Sequence, residues 1–287
     1  MANLHLLTFG DGSPQNRGAA TRLQKEASQA RIFATTNVYN LKRIRDEYPA
    51  FWKQHGRFLL TAPRGLGYYL WKVFLVTVKL GELRENDFLA YLDAGCEITS
   101  RNAGNLLDLL PTEPGTDLSV VPLEPFHTTA RWTNNYCLSH LDKSRAYLDR
   151  PMISATFMFL RNTAASRLLC ARWLEWATFE DHGCLVDRPG DTESAEFEHH
   201  KDDQSIFNLL VYDLEQRGAI GVKRIDLEKT QRPESAIHGV RNRTPFRLTG
   251  TNGYKRRILS KCFSAAVRFF WDEKKYRADL YESLQEK

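Results

Sequence analysis

The stretch FLAYLDAGCE, residues 88–97, decides the fold of this chain. Its first five residues are apolar without alternation, which is typical of a strand covered on both faces. Asp93 follows at once, with the small residues Ala94 and Gly95 behind it. In open α/β sheets the ligand crevice lies just outside the carboxyl ends of the strands. The stretch therefore predicts a buried strand that presents the carboxylate of Asp93 at a ligand site.

Strand and helix patterns alternate on both sides of this stretch. Further strands are predicted over 4–9 (closed by Gly10-Asp11-Gly12), 58–62, 118–123 and 152–160, and helices over 19–31, 67–80 (ended by Gly81), 166–179 and from Asp202 or Asp203 to Gly218. Such alternation favours an α/β fold with an open mixed sheet flanked by helices. We expect one such domain over residues 1–243, followed by a basic, helical C-terminal extension over 244–287.

Composition excludes several classes of protein. Hydrophobic residues at 42% and charged residues at 26% are those of a folded soluble chain, neither disordered nor fibrous. A net charge of +5 favours anionic partners without requiring nucleic acid. Five scattered cysteines without a CxxC pair argue against a disulfide framework or a zinc knuckle. With no visible secretion signal and no apolar run near the roughly 20 residues of a membrane span, a reduced cytoplasmic location is expected.

Asp93 is the first candidate for contact with a metal ion. Mg²⁺ and Mn²⁺ prefer oxygen ligands and are commonly shared between one or two carboxylates and the phosphates of a substrate. Glu97 is a candidate helper, and His238, close to Arg241 and Arg243, is a candidate second ligand. Two alternatives stay open: Asp93 can simply cap a turn, and His238 can lie in an ordinary basic surface loop.

The segment RGLGYYLWK, residues 64–72, is dense in glycine, aromatic and cationic residues. Glycine lets a ligand approach the backbone, and Arg64 and Lys72 can hold phosphate oxygens. The rings of Tyr69 and Trp71 can stack on a base or a sugar. The alternative is that both rings belong to the core and that Lys72 reaches solvent.

A third cluster of titratable residues, EHHKDDQS at 198–205, precedes an apolar helix. Asp203 can orient or deprotonate an acceptor hydroxyl, and Gln204 can hydrogen bond a sugar. Alternatively, the cluster is a helix cap with a solvated charge run. His199 and His200 are adjacent and point to different faces, which argues against a zinc site.

Taken together, these segments resemble glycosyltransferases of the GT-A fold, in particular microbial and viral enzymes with a WK segment before a strand that ends in DAGC. The resemblance covers about residues 4–243. It is carried by LLTFGDG from Leu6, RLQKEA from Arg22, RGLGYYLWK, FLAYLDAGCEI, RWT from Arg131 and HHKDDQSIF from His199. Two positions depart from the family pattern: Gly95 stands where a standard DxD motif has its second acidic residue, and Val73 replaces the proline that usually follows WK.

The resemblance implies transfer of a hexose or pentose from a nucleotide diphosphate sugar to a hydroxyl of a glycan or glycolipid, with Mn²⁺ or Mg²⁺ as a divalent cation. Asp203 and Gln204 would be catalytic, and Asp93 with His238 would hold the metal. The implied donor-binding residues are Thr8, Phe9 and Gly10 at the base, Arg22, Arg64 and Lys72 at the diphosphate, and Gly67, Tyr69, Trp71, Asp93, Ala94, Gly95 and Arg241 around them.

The basic tail and the rival functions complete these expectations. Residues 255–271 hold five cations, no carboxylate and several aromatic residues, so they can rest on an anionic membrane surface or pack as a plain amphipathic helix.

One rival function is that of a non-catalytic nucleic-acid-binding protein. The acidic residues interleaved with the basic ones argue against it, so no nucleic-acid partner is expected. The other rival is a metal-dependent nucleotidyltransferase or phosphatase, which needs more carboxylates close together.

Overall fold

The predicted central strand is β3 (Phe88–Leu92), and all five of its residues are buried. Leu89 and Tyr91 belong to one apolar core, and the other three residues belong to a second core on the opposite face. Because successive side chains of a strand point to opposite faces, this division confirms a strand covered on both sides.

The structure is a computed structural model that describes residues 2–141, 144–188, 193–226, 235–239, 241–248, 261, 263, 272–282 and 284. The strands are β1 (Leu4–Phe9), β2 (Thr35–Tyr39), β3, β4 (Glu97–Ile98), β5 (Leu118–Val120), β6 (Phe157–Arg161), β7 (Val222–Arg224) and β8 (Ile237–His238). Six of them form one sheet in the order β2-β1-β3-β6-β5-β7, in which β6 runs antiparallel to both neighbours. Strands β4 and β8 form a separate antiparallel pair. The predicted open mixed sheet is confirmed.

Helices cover both faces of the sheet. They are α1 (Pro14–Ala30), α2 (Leu41–Glu47), α3 (Pro49–Thr61), α4 (Gly65–Tyr68), α5 (Leu70–Glu82), α6 (Thr129–Trp132), α7 (Asn135–Ser139), α8 (Ala164–Thr178), α9 (Asp203–Gln216) and α10 (Glu273–Glu282). Two 3₁₀ segments, Ser100–Leu109 and Ser144–Tyr147, complete the described elements. Helix α1 packs on β1 and β2, whereas α8 packs between α5 and α9.

The strand predicted over 58–62 is wrong, because these residues form the last turn of α3 and the residue after it. Phe51, Trp52, His55 and Leu59 are all buried. Their spacing is that of one helical face, so the helix period prevails over the short apolar run at its end.

The helix predicted over 67–80 has different bounds and a break near its start. Leu66 and Gly67 are not helical, with φ of 52° and 83°, and α5 begins at Leu70. At its other end, α5 continues through Gly81 to Glu82. Gly81 is exposed and a Cβ there would meet nothing within 4 Å, so glycine is tolerated in the helix instead of ending it.

The antiparallel direction of β6 places its start beside Asp93. Strands β1, β2 and β3 are parallel, so their carboxyl ends meet at one edge of the sheet. At this edge the backbone N–H of Asp93 donates to the carbonyl of Thr156, at 2.8 Å. The sheet edge at which the sequence predicts a ligand site is therefore the one where β1, β3 and the start of β6 meet.

The predicted membrane contact, residues 255–271, lies outside the described residues except for Lys261 and Phe263. In the described part of the chain, every helix is too short or too polar to cross a membrane. The proposed boundary at residue 243 stays a prediction. Past that boundary, α10 reaches back to the sheet edge, where the Tyr276 hydroxyl donates to Asp11 Oδ2 at 2.5 Å.

Replacing Gly10 by alanine tests how tightly α1 packs on the end of β1. A Cβ at Gly10 would lie 2.4 Å from Ala20 Cβ and 2.5 Å from the carbonyl oxygen of Asn16. We expect Gly10→Ala to lower the free energy of unfolding by about 1–3 kcal/mol, measured by urea denaturation. The matched control, Gly81→Ala, adds the same methyl group to an exposed helix position and should raise stability by up to about 1 kcal/mol. Equal effects of the two substitutions would contradict this account of the packing.

Candidate active site

Lys72 is the buried cation around which the site is built. It lies in the first turn of α5, is 4% exposed, and places its ammonium 2.9 Å from Asp203 Oδ2 and 3.4 Å from the carbonyl oxygen of Ala155. Burial alone would lower the pKa of Lys72, but the charges of Asp203 and Asp93 outweigh this effect and raise it. Lys72 is therefore a permanent positive charge, and the alternative in which it reaches solvent is wrong.

Asp93 meets this cation from the end of β3. Its Oδ1 accepts a hydrogen bond of 2.5 Å from the hydroxyl of Tyr91, two residues earlier on the same face of the strand. Burial raises the pKa of Asp93, while the charge of Lys72 and the Tyr91 hydrogen bond oppose that rise. The side chain of Asp93 is thereby oriented by its own strand.

Asp203 comes from the first turn of α9 and is 2% exposed. The indole N–H of Trp173 donates to its carbonyl oxygen at 2.9 Å, and this bond ties α9 to α8. Burial raises the pKa of Asp203 to about 6, with Lys72 opposing the shift and Asp93 adding to it. A carboxyl group with this pKa can accept a proton near neutral pH.

Asp202 stands at the N-cap position of α9, but its side chain makes no capping hydrogen bond. Its Oδ1 instead accepts from Arg64 Nη2 at 2.5 Å, and the same nitrogen donates to the carbonyl of His200 at 2.9 Å. The backbone of Asp202 has φ 52° and ψ −128°, a conformation that costs a non-glycine residue free energy and clusters at functional sites. Burial raises the pKa of Asp202 to about 7.

The glycine-aromatic segment is a tight connection between α3 and α5. Gly67 has φ 83°, and a Cβ there would lie 2.6 Å from Leu59 Cδ2, so both its backbone and its surroundings require glycine. Trp71 stacks on Phe9, with ring centroids 3.7 Å apart, and donates to the Gly65 carbonyl at 2.8 Å. The ring of Tyr69, 36% exposed, lies 4.9 Å from the Lys72 ammonium. The segment thus brings Lys72 to the sheet edge.

The residues predicted near the nucleobase lie at the end of β1. Thr8 is fully buried, and its hydroxyl has no hydrogen-bond partner among the described residues. Phe9 is held in the stack with Trp71, and Gly10 gives α1 the room to pack on β1. The structure therefore groups Phe9, Trp71 and Lys72 along one edge of the sheet.

Arg22 holds loops together. Its Nη2 donates to the carbonyls of Ala94, at 2.9 Å, and Asn242, at 3.2 Å, while its Nε donates to that of Thr244, at 3.2 Å. Its Nη1 faces the carboxylate of Glu26. The guanidinium is 4% exposed, so in this structure Arg22 connects the loop after β3 to residues 242–244.

Gln204 lies near Asp203 because the two residues are neighbours at the start of α9. It follows Asp203 in the first turn of α9, and its side-chain amide donates to the carbonyl of Ile153 at 2.7 Å. This hydrogen bond crosses from α9 to the segment before β6, which fixes the start of the helix against the sheet.

The predicted metal ligands Asp93 and His238 have other partners among the described residues. Among the described residues, no group of three or more His, Cys, Asp or Glu side chains is arranged to hold a metal ion. The predicted second ligand, His238, is paired with Glu97 across β4 and β8, and the charges that act on its pKa are those of Glu97 and Arg247. Asp93 instead has Lys72 as its principal charged neighbour.

Sequence reasoning missed two side chains that shape the site. Tyr91 was counted only as an apolar strand residue, although a tyrosine two positions before a strand-end aspartate shares its face. Asp202 was considered only as a helix cap. The adjacent acids Asp202 and Asp203 were a visible signal, but their separate partners, Arg64 and Lys72, depend on the tertiary structure.

No family model and no curated protein sequence matches this chain. Solved structures with similar backbones include the following three. Mouse xyloside xylosyltransferase 1, in its apo form, is 13% identical with a TM-score of 0.42, over 78% of this chain and 86% of that one. A glycosyltransferase involved in glycosylation of the major capsid of PBCV-1 is 9% identical with a TM-score of 0.44, over 90% and 99%. The apo form of glycosyltransferase GlyE from Streptococcus pneumoniae TIGR4 is 11% identical with a TM-score of 0.39, over 98% and 64%.

Removing the buried ammonium tests its place in the structure. Lys72→Met leaves Asp203 buried without its partner, so we expect the free energy of unfolding to fall by about 3–5 kcal/mol in urea titrations. The control on the same helix is Lys79→Met. Lys79 is half-buried and pairs with the exposed Glu82, so its loss should cost less, about 1 kcal/mol. Similar losses in the two variants would show that the Lys72 ion pair does not organise the site.

Proposed function

We propose that this protein is a glycosyltransferase that moves a sugar from a nucleotide diphosphate donor to a hydroxyl of a glycan or glycolipid. The observation that carries the proposal is the convergence of Asp93, Lys72 and Asp203 at the carboxyl edge of the sheet. Such edges are where open α/β sheets bind their ligands. The ion pair supplies a fixed cation for a phosphate and a carboxylate for a hydroxyl.

In the proposed reaction, the acceptor oxygen forms a bond to the anomeric carbon of the donor sugar. The bond from that carbon to the diphosphate breaks, and its electron pair leaves with the phosphate oxygen. Asp203 takes the proton of the acceptor hydroxyl, and Gln204 orients the sugar. The charge that grows on the departing diphosphate is stabilised by Lys72 and by Arg64, at the opening of the site.

The donor's base and sugar have candidate contacts around this center. We assign the base to the end of β1, where Thr8 and Gly10 lie beside the buried, mutually stacked rings of Phe9 and Trp71. Tyr69 lies over Lys72 and supports an assignment beside the diphosphate. The role of Arg22 at the diphosphate and the cation ligands Asp93 and His238 stay predictions, and no step of the reaction above passes through a metal ion.

Product analysis of an Asp203→Asn variant tests the proposal. The donor is first found by thermal shift with a panel of nucleotide sugars, since a ligand of the folded state raises its melting temperature. Wild-type protein should release a nucleoside diphosphate together with a sugar-bearing acceptor. Loss of the proton acceptor should lower kcat by about 10²–10⁴-fold.

The matched control is Asp213→Asn, at the far end of the same helix, where the carboxylate pairs with Arg217. This variant should keep the wild-type rate of transfer. Release of pyrophosphate instead of a nucleoside diphosphate would replace the proposal with nucleotidyl transfer, and an unaffected Asp203→Asn variant would remove Asp203 from the reaction.

The pH dependence of the reaction identifies the base. Asp203 must be deprotonated to act, and burial raises its pKa to about 6. We therefore expect kcat/KM to be level above pH 6 and to fall tenfold per pH unit below it. If kcat/KM instead begins to fall near pH 7, the proton acceptor is Asp202, because burial raises its pKa to about 7. A flat profile from pH 5 to 8 would exclude both carboxylates.

A further inference from the structure

Gly95 lies two residues after Asp93, and the structure shows what packs against it. A Cβ on Gly95 would lie 3.1 Å from Arg241 Cα, 3.3 Å from Arg241 C and 3.4 Å from the backbone nitrogen of Asn242. That nitrogen donates to the Gly95 carbonyl at 2.8 Å. The chain at 241–242 therefore packs directly on the loop after β3, where a side chain at position 95 would be crowded.

This contact is fixed from both sides. The carbonyls of Ala94 and Asn242 share the same nitrogen of Arg22, and the side-chain amide of Asn242 donates to Glu97 Oε1 at 2.5 Å. Glu97 is fully buried. The segment that carries Arg241 and Arg243 is therefore held beside Asp93 by buried polar contacts.

Arg241 and Arg243 are both exposed, and Arg241 has a φ of 50°, uncommon for a residue with a side chain. Within the described ranges, neither guanidinium forms an ion pair with a carboxylate. Burial raises the pKa of Asp93, and the charges of Lys72, Arg241 and Arg243 all act against that rise. The charges of both arginines therefore act on the carboxylate of Asp93.

We propose that Arg241 and Arg243 form a binding site for the donor's diphosphate that makes a divalent cation unnecessary. The inference rests on the proposed function and assigns its leaving-group site. The guanidinium groups donate to the phosphate oxygens, and they stay protonated as the electron pair of the breaking bond moves onto the diphosphate.

The same charges disfavour a metal ion at Asp93. The charges of three cations, Lys72, Arg241 and Arg243, act on this carboxylate. A divalent cation placed there would be repelled by these three cations, and Tyr91 already donates to one oxygen of Asp93. A diphosphate carries the opposite charge and meets no such repulsion.

The test measures binding of UDP, GDP and inorganic pyrophosphate by calorimetry, in EDTA and in MnCl₂. We expect Kd in EDTA to lie within about twofold of that in Mn²⁺ for at least one of these diphosphates. Arg241→Ala and Arg243→Ala should each raise Kd about tenfold or more, as the loss of a hydrogen bond to a charged group does. Arg241→Lys should bind more tightly than Arg241→Ala, because lysine keeps the positive charge but cannot form the paired hydrogen bonds of a guanidinium.

The control is Arg145→Ala, which removes an exposed arginine from the 3₁₀ segment packed on the far end of α9. It lies roughly 20 Å from the start of that helix and should bind as the wild type does. Binding that requires Mn²⁺, or wild-type affinity in both arginine variants, would overturn this inference and leave glycosyl transfer standing. If no diphosphate binds and no nucleotide sugar is turned over with or without Mn²⁺, both proposals fail.

Discussion

The structure depends on one buried ammonium group. Lys72 is 4% exposed, and an uncompensated charge at that depth would be costly enough to disrupt the fold. Asp203 at 2.9 Å supplies the compensation, so α9 must begin where α5 begins. Asp93 brings the end of β3 to the same charge. Three elements distant in sequence are thereby fixed at one edge of the sheet, and the conditions that stabilise the fold also set the electrostatics of the site.

The loop after β3, residues 93–96, is also held in place by its neighbours. Ala94 and Gly95 are small, and the loop is closed by Arg22 and by the backbone of residues 241–242. A side chain at position 95 would be crowded by that backbone. The segment that packs against Gly95 carries Arg241 and Arg243. One local contact therefore brings two arginines close enough for their charges to act on Asp93.

The local sequence pattern was enough to predict those elements that have a clear apolar run or a clear helical period. β1, β3, α8 and α9 were predicted near their observed positions, since each has an uninterrupted apolar run or a clear helical period. The end of α3 was mistaken for a strand because a window of five residues, 58–62, hides the period of the helix. In the site, Lys72, Asp93 and Asp203 were selected from the sequence. Their burial was not, and neither was the pairing of Arg64 with Asp202, because a contact across 138 positions is set by tertiary structure.

Acidification affects the two functions proposed for this edge in opposite directions. Burial places the pKa of Asp203 at about 6 and that of Asp202 at about 7, so both carboxylates gain protons over the same narrow range. Protonation removes the group that would accept a proton from a hydroxyl. It also removes negative charge beside Lys72 and Arg64, which remain charged, and so strengthens the attraction for a diphosphate. Proton acceptance and anion binding are therefore best combined just above this range, where the carboxylates are ionised and still bound to their cations.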